Sequence, residues 1–522
     1  MKNRFSLVAF GLVTAATGSA QLGPLDPTFG VDGVFLDDCG LNAPVVNDLA
    51  LDANGDLIIA GTAFVNGTGD WSVSRLTPAG ELDSTFGVNG TVTSNLPDHN
   101  EEGLRIWVQS DGKILLGARD FFNPLHFGCL VRLMPDGSPD PDFGVDGTLR
   151  FTHPNGSQVR LDDMILLPTG HIIVAYGWAT AGLPSLHLIK FDPDGDLDTT
   201  FADGGALLIN LPGSGGGAPR LTSAPNGDLI VISLNSWSGW QGTLAHRVDQ
   251  NGDLLQQFGN AGVVVCDGAP SGYAHSGHDI KMDQQGRFLV VGEAHGAALP
   301  VLQWAARFND DGSDDTTFGM NGAFVLDLAS SIAGSVRRVL PMADGSIYLV
   351  CGDDDVNTLF TDAVMLKLDA NGGLDPGFGS GGVLWFPASA TTFLRSAVEQ
   401  NNGQVVVAGH SGSGNRQVLA SRLSGDLITA VDAPVPPSMQ VAIAPNPTNG
   451  RVNIQFHLEQ GSDVDLRLVD ATGRTVHAPA IPNKFPAGFH NISADLTLLG
   501  AGGYWVMLRT GAGSAVEPVI VE

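Results

Sequence analysis

A short anchor with the pattern Phe-Gly-x-x-Gly recurs seven times at nearly constant spacing. Its phenylalanines are Phe29, Phe86, Phe143, Phe201, Phe258, Phe318 and Phe378, separated by 57, 57, 58, 57, 60 and 60 residues. In the fourth copy Ala202 replaces the first glycine, although Gly205 keeps the second. A period of this length indicates stacked supersecondary units that bury their apolar faces on one another.

Two further markers place four strands in each unit. The first is a polar turn with glycine followed by aliphatic residues, as in NGDLIIAG from Asn54 and DGKILLGA from Asp111. The second is a basic residue, one apolar residue and another turn, as in RLTPAG from Arg75 and KFDPDG from Lys190. Glycine supplies the positive φ that tight hairpin turns need. We therefore expect each unit to be an antiparallel meander with strands a, b, c and d in chain order.

The chain is permuted relative to these units. The seventh unit stops near Ile428 without its own anchor, whereas an unmatched anchor lies before the first a strand, in residues 25–35. An N-terminal strand that completes the last unit would close a ring and protect the edge strands that an open array exposes. The sequence thus predicts an all-β chain in which residues 21–430 form a seven-bladed β-propeller. An open β-solenoid is the competing architecture, but it favours a shorter and more uniform repeat.

Two recurring residue types are expected to be structural. The anchor phenylalanines should wedge between blades. One basic residue recurs in every c strand, and in five units an aspartate lies eight residues further on, which suits an ion pair. Blade four has Leu255 at that position, so this ion pair is expected to be dispensable. The basic residues are Arg75, Arg132, Lys190, Arg247, Arg307, Lys367 and Arg422, and the aspartates are Asp83, Asp140, Asp198, Asp315 and Asp375.

The combined pattern LDxTFGxxGxV, xDGKILLGA and RLxxDG resembles the delta-60 repeat, a bacterial repeat family of unassigned activity. The resemblance covers residues 25–428. It implies the propeller architecture and no reaction.

A proline-rich linker, residues 431–440, separates the repeats from a different module. Residues 441–522 contain alternating strands such as VNIQFHL from Val452 and YWVMLRT from Tyr504, which predict a small Ig-like β-sandwich. Its opening sequence, APNPTNG, is followed by DATGRTV from Asp470 and LGAGGYWVML from Leu499.

These three motifs in this order resemble the type A C-terminal sorting domain of the type nine secretion system. The positions that match its opening are Pro445, Asn446, Pro447 and Gly450. The resemblance implies that the type nine secretion machinery is a partner and that the folded chain crosses the outer membrane, to be released or attached to the surface. The chain ends in Val521-Glu522, whereas many relatives end in a basic residue. An ordinary Ig-like binding domain is the alternative.

The N-terminus and the charge also indicate export. In residues 1–20, Lys2 and Arg4 precede an apolar run that ends near Ala16 and is followed by small residues, as in a signal peptide. No later stretch reaches the ~20 apolar residues of a membrane-spanning helix, so no transmembrane span is expected after cleavage. The net charge of −29 argues against nucleic acid as a partner, because phosphates would be repelled. The expected location is the outer surface of a gram-negative bacterium or its surroundings.

The sequence offers little catalytic or metal-binding chemistry. HExxH, GxSxG and GxxxxGK[ST] motifs are missing, so no catalytic residue, enzyme activity or cofactor is predicted. The best candidate for calcium is the carboxylate series Asp192, Asp194, Asp196 and Asp198. This series lies where nearly every blade has a polar turn, and a plain turn is the favoured interpretation.

Two other groups of possible metal ligands are expected to be ordinary residues. His275, His278 and Asp279 form an HxxHD cluster, which we expect in a solvated interblade loop. The cysteines lack CxxC spacing, which favours buried thiols over a zinc site and leaves one disulfide as the alternative. They are Cys39, Cys129, Cys266 and Cys351.

The b–c loops are the predicted recognition surface. In an abcd meander the a–b and c–d turns share one face and the b–c and d–a loops share the other. The b–c loops vary in length and carry aromatic residues, which bind sugar rings or apolar side chains well. The alternative is that these rings pack among their own loops. The favoured function is a non-catalytic binding or adhesion protein for a glycan or surface protein, and the alternative is a secreted glycan hydrolase or lyase. The predicted ligand-binding residues are Phe121, Trp178, Trp237 and Trp240, with Phe64, Phe122, Phe127 and Phe360 in the same loops.

Overall fold

All regular structure in the described part of the chain is β-strand. Contacts divide it into two compact units, one ending at Ser424 and the other beginning at Val441. The predicted signal peptide and linker lie outside the described residues, and some strand residues are described by their backbone alone. The computed structural model describes residues 25–522 except 66–67, 95–98, 181–182, 212–213, 238–239, 269–271, 297–300, 327–334, 353–362, 380, 387–391, 413–415, 425–440, 445–447, 449, 459–460, 470–474, 478, 480–483, 498, 500–501, 511–512 and 522.

The first unit is a ring of seven four-stranded antiparallel sheets, as predicted. The first strand in the chain, β1 (Val34–Asp37), belongs to the last sheet. The following strands form blades one to three, with a, b, c and d in order: β2 (Val45–Leu51), β3 (Leu57–Val65), β4 (Thr68–Leu76), β5 (Thr91–Thr93); β6 (Asn100–Val108), β7 (Ile114–Phe122), β8 (Leu125–Leu133), β9 (Thr148–Phe151); β10 (Asp163–Leu166), β11 (Ile172–Thr180), β12 (Leu183–Phe191) and β13 (Ala206–Asn210).

Blades four to six have the same order, and blade seven takes its a, b and c strands from the end of the repeats. These strands are β14 (Ser214–Ser223), β15 (Leu229–Trp237), β16 (Trp240–Val248), β17 (Val264–Cys266); β18 (Ala274–Met282), β19 (Phe288–His295), β20 (Leu302–Phe308), β21 (Ala323–Leu326); β22 (Val336–Pro341), β23 (Ile347–Cys351), β24 (Val364–Leu368), β25 (Val383–Trp385); β26 (Thr392–Glu399), β27 (Val405–Ser411) and β28 (Gln417–Arg422).

The N-terminal strand completes blade seven, as the permuted repeat predicted. β1 pairs with β28 from Val34 opposite Ser421 to Asp37 opposite Val418. Just before it, the Asp26 carboxylate accepts a hydrogen bond from Arg422 Nε at 2.9 Å across 396 positions of sequence. The ring is thus closed without a covalent bond, and the d strand of blade seven covers an edge that would otherwise be open.

The anchor phenylalanines lie between blades, as expected. Phe29 is fully buried, and a Cβ added to Gly80 in the c–d turn of blade one would sit 2.8 Å from its ring. Gly137 lies against Phe86 in the same way one blade further on. Both glycines have positive φ, 77° and 86°. Close approach and backbone conformation therefore both require glycine at these turns.

The five predicted ion pairs of the c strands are present. Arg132 shows their role: its Nη1 donates to the Pro193 carbonyl of the next blade at 2.6 Å, and its guanidinium lies 4.3 Å from the centre of the Phe143 ring. Arg75 and Arg307 donate in the same way to Pro135 and Ala370, so the three arginine pairs anchor a blade to its neighbour. The five pairs are Arg75–Asp83 at 2.7 Å, Arg132–Asp140 at 2.5 Å, Lys190–Asp198 at 3.0 Å, Arg307–Asp315 at 2.8 Å and Lys367–Asp375 at 3.1 Å.

The remaining two blades find a carboxylate elsewhere in the fold. Arg422 of blade seven uses Asp26 of the N-terminal segment. Blade four lacks the pair eight residues apart, as expected from Leu255 at the usual aspartate position, and Arg247 instead contacts Asp228 of the a–b turn at 2.9 Å. A largely buried cation without a partner is costly, which explains why the carboxylate is replaced rather than lost.

The second unit consists of two sheets that share one apolar core. Ile454 and Phe456 from one sheet pack with Leu466 and Leu508 from the other. The predicted strands of the module are all present. The first sheet contains β29 (Val441–Ala444), β30 (Arg451–Leu458) and β34 (Gly488–Asp495), and the second contains β31 (Ser462–Val469), β32 (Thr475–His477), β33 (Lys484–Phe485), β35 (Gly502–Thr510) and β36 (Gly513–Val521).

Candidate functional site

The face formed by the a–b and c–d turns is nearly the same in every blade. All seven a–b turns close with a backbone N–H that donates to the carbonyl four residues later, as in Gln109 to Lys113 at 2.8 Å. The c–d turns of blades one to six repeat this bond, as in Met134 to Ser138 at 2.7 Å. We name this surface the turn face. It offers a repeated backbone pattern and little variation.

The opposite surface, the hairpin face, is formed by the b–c hairpins. In blades one to four the b and c strands have nine residues each, whereas the d strands have three to five, so the hairpins project beyond the sheets. The connections of these four blades all have two residues, but in blade six the chain runs from Cys351 to Val364 between paired strands. The b–c connection therefore has the same length in blades one to four and is longer in blade six.

The hairpin of blade two holds its aromatic residues in defined contacts. Phe121 is half-buried, and its ring centre lies 4.6 Å from that of His126. Phe122 stacks on His99 at 4.6 Å and remains 43% exposed. Phe64 of blade one is 37% exposed. Phe121 thus has a partner in its own hairpin, whereas Phe122 and Phe64 present apolar surface to solvent.

A buried acidic pair lies beneath this hairpin. Glu101 of β6 and Asp120 of β7 are directly opposite each other and are 1% and 0% exposed. Burial, with a smaller contribution from Asp120, raises the pKa of Glu101 to about 7. Asp120 is paired with His99 at 2.8 Å and with Arg150. Glu101 can therefore act as a proton donor beside the Asp120 carboxyl group, but both side chains are shielded from solvent.

The three predicted tryptophans lie on the same hairpins. Trp237 and Trp240 face each other at the tip of the blade four hairpin, and Trp178 is paired with Ser185 in blade three. Their side chains, and all of Phe360, lie outside the described part of the structure. Their role in ligand binding stays a prediction.

Sequence reasoning missed an ordered set of charges in the central channel. One position of strand a, opposite the fourth residue of strand b, is occupied in blades one to seven by Asp48, Arg105, Asp163, Arg220, Asp279, Arg338 and Ser396. We name these seven residues the charge ring. The seven positions recur every 57 to 59 residues, which is a signal that the sequence contains. The a strands share no motif, however, so their residues could not be aligned from one blade to the next.

The charge ring joins neighbouring blades. Arg105 donates to Asp163, and the Ser396 hydroxyl donates to Asp48 at 2.8 Å. A cavity of about 450 Å³ is lined by every member of the ring except Arg220, together with apolar residues such as Trp107 and Ile165 and the charged residues Lys281 and Glu399. In addition, each aspartate accepts a backbone N–H from the a strand of the next blade, in the pairs Asp48–Ile106 at 3.2 Å, Asp163–Leu221 at 2.9 Å and Asp279–Val339 at 3.0 Å.

Two of the four carboxylates considered for calcium, those of Asp192 and Asp198, have partners in their own blade. Asp192 accepts the backbone N–H groups of Asp194 and Asp196 at 3.0 and 2.9 Å, and Asp198 pairs with Lys190 at 3.0 Å. Among the described residues, no three His, Cys, Asp or Glu side chains are arranged to hold a metal ion.

The expected loop position of the HxxHD cluster was wrong. His275, His278 and Asp279 all lie within β18, the a strand of blade five. The strand has a β-bulge between Gly277 and Asp279, so His278 is the bulged residue. Asp279 belongs to the charge ring and is therefore structural.

All four cysteines are buried, and none of them is assigned to a disulfide in the structure. Burial raises the pKa of Cys39 and of Cys351 to about 12, and raises the pKa of Cys129 as well. Such thiols are unreactive, because the thiolate is the reactive form.

The sorting motif is described at its last position. Gly450 has φ 141°, its carbonyl accepts the Leu496 N–H at 2.5 Å, and a Cβ here would lie 2.5 Å from Thr497. Glycine is therefore required where the motif enters β30. Pro445, Asn446 and Pro447 lie outside the described residues.

Several solved structures match the chain at low similarity. The polysaccharide lyase Uly1 has 8% identity and a TM-score of 0.44 over 73% of this chain and 90% of its own. A glucose dehydrogenase has 9% identity and a TM-score of 0.37 over 62% and 99%, and a GH43 endo-arabinanase from Bacillus licheniformis has 16% identity and a TM-score of 0.29 over 53% and 99%. These values carry no argument about activity. No curated protein matches the sequence.

Family models match both parts of the chain. Residues 53–86, 109–143 and 167–201, in the first three blades, match the DUF5122 β-propeller, a domain of unknown function. Residues 442–522 match the secretion system C-terminal sorting domain. The described residues include no helix with the length and hydrophobicity to cross a membrane. The chain is therefore a seven-bladed β-propeller, in which the first three blades match the DUF5122 model, with a C-terminal sorting domain that marks it for export by the type nine secretion system to the cell surface or the surroundings.

Proposed function

We propose that the exported chain is a non-catalytic recognition protein that binds a glycan or a surface protein through its hairpin face. The observation that carries this proposal is the difference between the two faces. The turn face repeats one hydrogen-bonding pattern in blade after blade, whereas the hairpin face varies in its connections and side chains. Variable loops on a rigid scaffold are the usual location of binding sites.

Exposed apolar side chains on the hairpin face support the proposal. Phe64, Phe122 and Leu125 are 37%, 43% and 41% exposed at the projecting tips of blades one and two. Phe122 is held by its stack on His99, so binding would cost little side-chain entropy. An aromatic side chain in a fixed orientation suits contact with a sugar ring or an apolar side chain.

A glycan hydrolase or lyase is the second candidate, and the acidic pair of blade two is the observation that favours it. Two carboxyl groups with different proton affinities are the usual machinery of glycoside cleavage. Glu101 and Asp120 are almost fully buried, however, and a substrate would reach them only if the hairpin opened. The recognition proposal therefore fits the described geometry better.

A binding array with the purified full chain tests the proposal. The variant Phe122→Ser/Leu125→Ser should lose capture of the glycan or surface protein that the wild-type chain binds, and Trp237→Ala/Trp240→Ala should weaken it. The matched control is Val88→Ser/Val145→Ser, since both valines lie on the turn face and are 77% exposed. All three variants should keep the wild-type melting temperature.

Two results would contradict the proposal. One is loss of capture in the turn-face control with normal capture in both hairpin-face variants. The other is reproducible turnover of a bound glycan that Glu101→Gln abolishes while the melting temperature is unchanged, which would identify an enzyme.

A further inference from the structure

Arg220 differs from the other two arginines of the charge ring. Arg105 donates to Asp163, and Arg338 lies 3.6 Å from Asp48. Arg220 makes no ion pair with any described residue. Its position in the ring is equivalent to theirs, so the difference comes from where its guanidinium points.

The Arg220 guanidinium uses only one of its nitrogens. Nη1 donates to the backbone carbonyls of Asp162 and Pro219 at 3.2 and 2.8 Å. Nε is buried without a hydrogen-bond partner, and Nη2 donates none to the described part of the chain. Buried donors in native proteins are nearly always satisfied by protein, water or an ion. The edge formed by Nε and Nη2 has the spacing that binds two oxygens of one carboxylate or sulfate group.

Burial and the neighbouring cations outweigh the carboxylates near Arg220. Burial, together with Arg105 and Arg338, lowers the pKa of Arg220 to about 10 in spite of Asp163. Burial lowers the pKa of His278 in blade five, and the positive charge of Arg220 contributes to this decrease. Arg105 of blade two and Arg338 of blade six are therefore close enough to act on Arg220 of blade four.

The two carboxylates that act on Arg220, Asp162 and Asp163, already have other partners. Asp162 accepts hydrogen bonds from Arg119 at 2.6 Å and from the Gly177 N–H at 3.0 Å. Asp163 accepts hydrogen bonds from Arg105 and from the Leu221 N–H at 2.9 Å. Neither carboxylate forms an ion pair with Arg220.

We propose that Arg220 anchors a binding site for an oxyanion, a carboxylate or sulfate group, in the central channel on the hairpin-face side of the charge ring. The group binds the Nε–Nη2 edge and compensates the unpaired cation. An acidic glycan or a free small anion supplies the same chemistry. The site is separate from the exposed hairpin tips, so the experiments that test it do not depend on the function proposed above.

Anion titrations of the full chain test the site. Sodium sulfate and an oligoglucuronate are titrated into wild type and Arg220→Met, with sodium chloride at matched ionic strength as reference, and binding is followed by calorimetry and by the melting temperature. Arg451→Met is the matched control, since it removes the same charge from a side chain that is 76% exposed in the sorting domain. Arg220→Lys keeps the charge but loses the planar edge, and serves if the methionine variant fails to fold.

The wild-type chain should bind at least one of the two probes, and Arg451→Met should behave like wild type. Arg220→Met and Arg220→Lys should bind about tenfold more weakly or not at all, as expected when a bidentate charge-assisted contact is lost. Without anion, Arg220→Met should melt at or above the wild-type temperature, because a cation crowded by Arg105 and Arg338 has been removed. Binding of both probes identifies a small-anion site, and binding of oligoglucuronate alone identifies an acidic glycan.

Three results would overturn the site. They are no binding of either probe to wild type, equal binding by the Arg220 variants, and a lower anion-free melting temperature of Arg220→Met without any anion response in wild type. The last would mean that Arg220 is purely structural.

Discussion

Removal of the Phe29 ring tests whether the N-terminal segment closes the propeller. Phe29 is fully buried and packs with Leu57 of blade one and Val406 of blade seven in one core. Truncation of a buried phenylalanine to alanine costs about 3–5 kcal/mol. We therefore expect Phe29→Ala to lower the free energy of unfolding of the propeller by that amount. Val31→Ala is the matched control, because Val31 lies in the same segment and is 78% exposed.

A deletion of residues 21–37 extends this test to the whole closing segment. It removes Phe29, the strand β1 and Asp26, which is the carboxylate partner of Arg422. Loss of the hydrogen bonds between Arg422 and Asp26 adds about 1.5–3 kcal/mol to the destabilisation caused by loss of the Phe29 side chain. The total approaches the whole stability of a domain, about 5–15 kcal/mol, so the deleted chain should be largely unfolded under mild conditions.

Urea unfolding of the full chain measures both effects. The expected order of unfolding midpoints is wild type and Val31→Ala together, Phe29→Ala clearly lower, and the deletion lowest. An unchanged midpoint in the deletion would refute closure by the N-terminal strand. An equal loss in Val31→Ala and Phe29→Ala would show general sensitivity of the segment and not a specific interblade contact.

Three further predictions concern other parts of the chain. Gly137→Ala should destabilise the propeller by about 1–3 kcal/mol more than Gly156→Ala in denaturant titrations, since both have positive φ but only Gly137 lies against the Phe86 ring. Because burial raises the pKa of Glu101 from 4.5 to about 7, wild type should lose about 3 kcal/mol as pH rises through that interval. Glu101→Gln should remove this loss, and equal pH dependence of the two proteins would contradict the assignment. Deletion of residues 442–522 should retain the chain in the periplasm, and a fusion of residues 438–522 to a periplasmic reporter should export it; cell fractionation and mass spectrometry decide both.

Most of the fold could be predicted because the sequence motifs that define each blade repeat at a regular spacing. The Phe-Gly anchor set the number of blades, and the unmatched copy at Phe29 placed the closing strand. The ion pairs eight residues apart were found because both members lie in one c–d corner. Contacts between residues that are close in the sequence can be predicted in this way from their spacing.

Contacts between distant segments could not be predicted in the same way. Asp228 replaces the missing aspartate of blade four from 19 positions before Arg247, across a different turn. The charge ring arises only when seven a strands meet at the channel, and a β-bulge next to its position in most of these strands hides the register. His278 was therefore assigned to a loop although it lies within such a strand.

Hydrogen exchange of the full chain, with and without the glycan or surface protein that it captures, tests whether the hairpin face is the binding surface. We expect slower exchange on binding in the b–c hairpins, such as residues 60–65, 68–73 and 118–130, and unchanged exchange in the c–d turns, such as residues 77–90 and 134–147. Protection confined to the c–d turns, with the hairpins unchanged, would contradict recognition through the hairpin face.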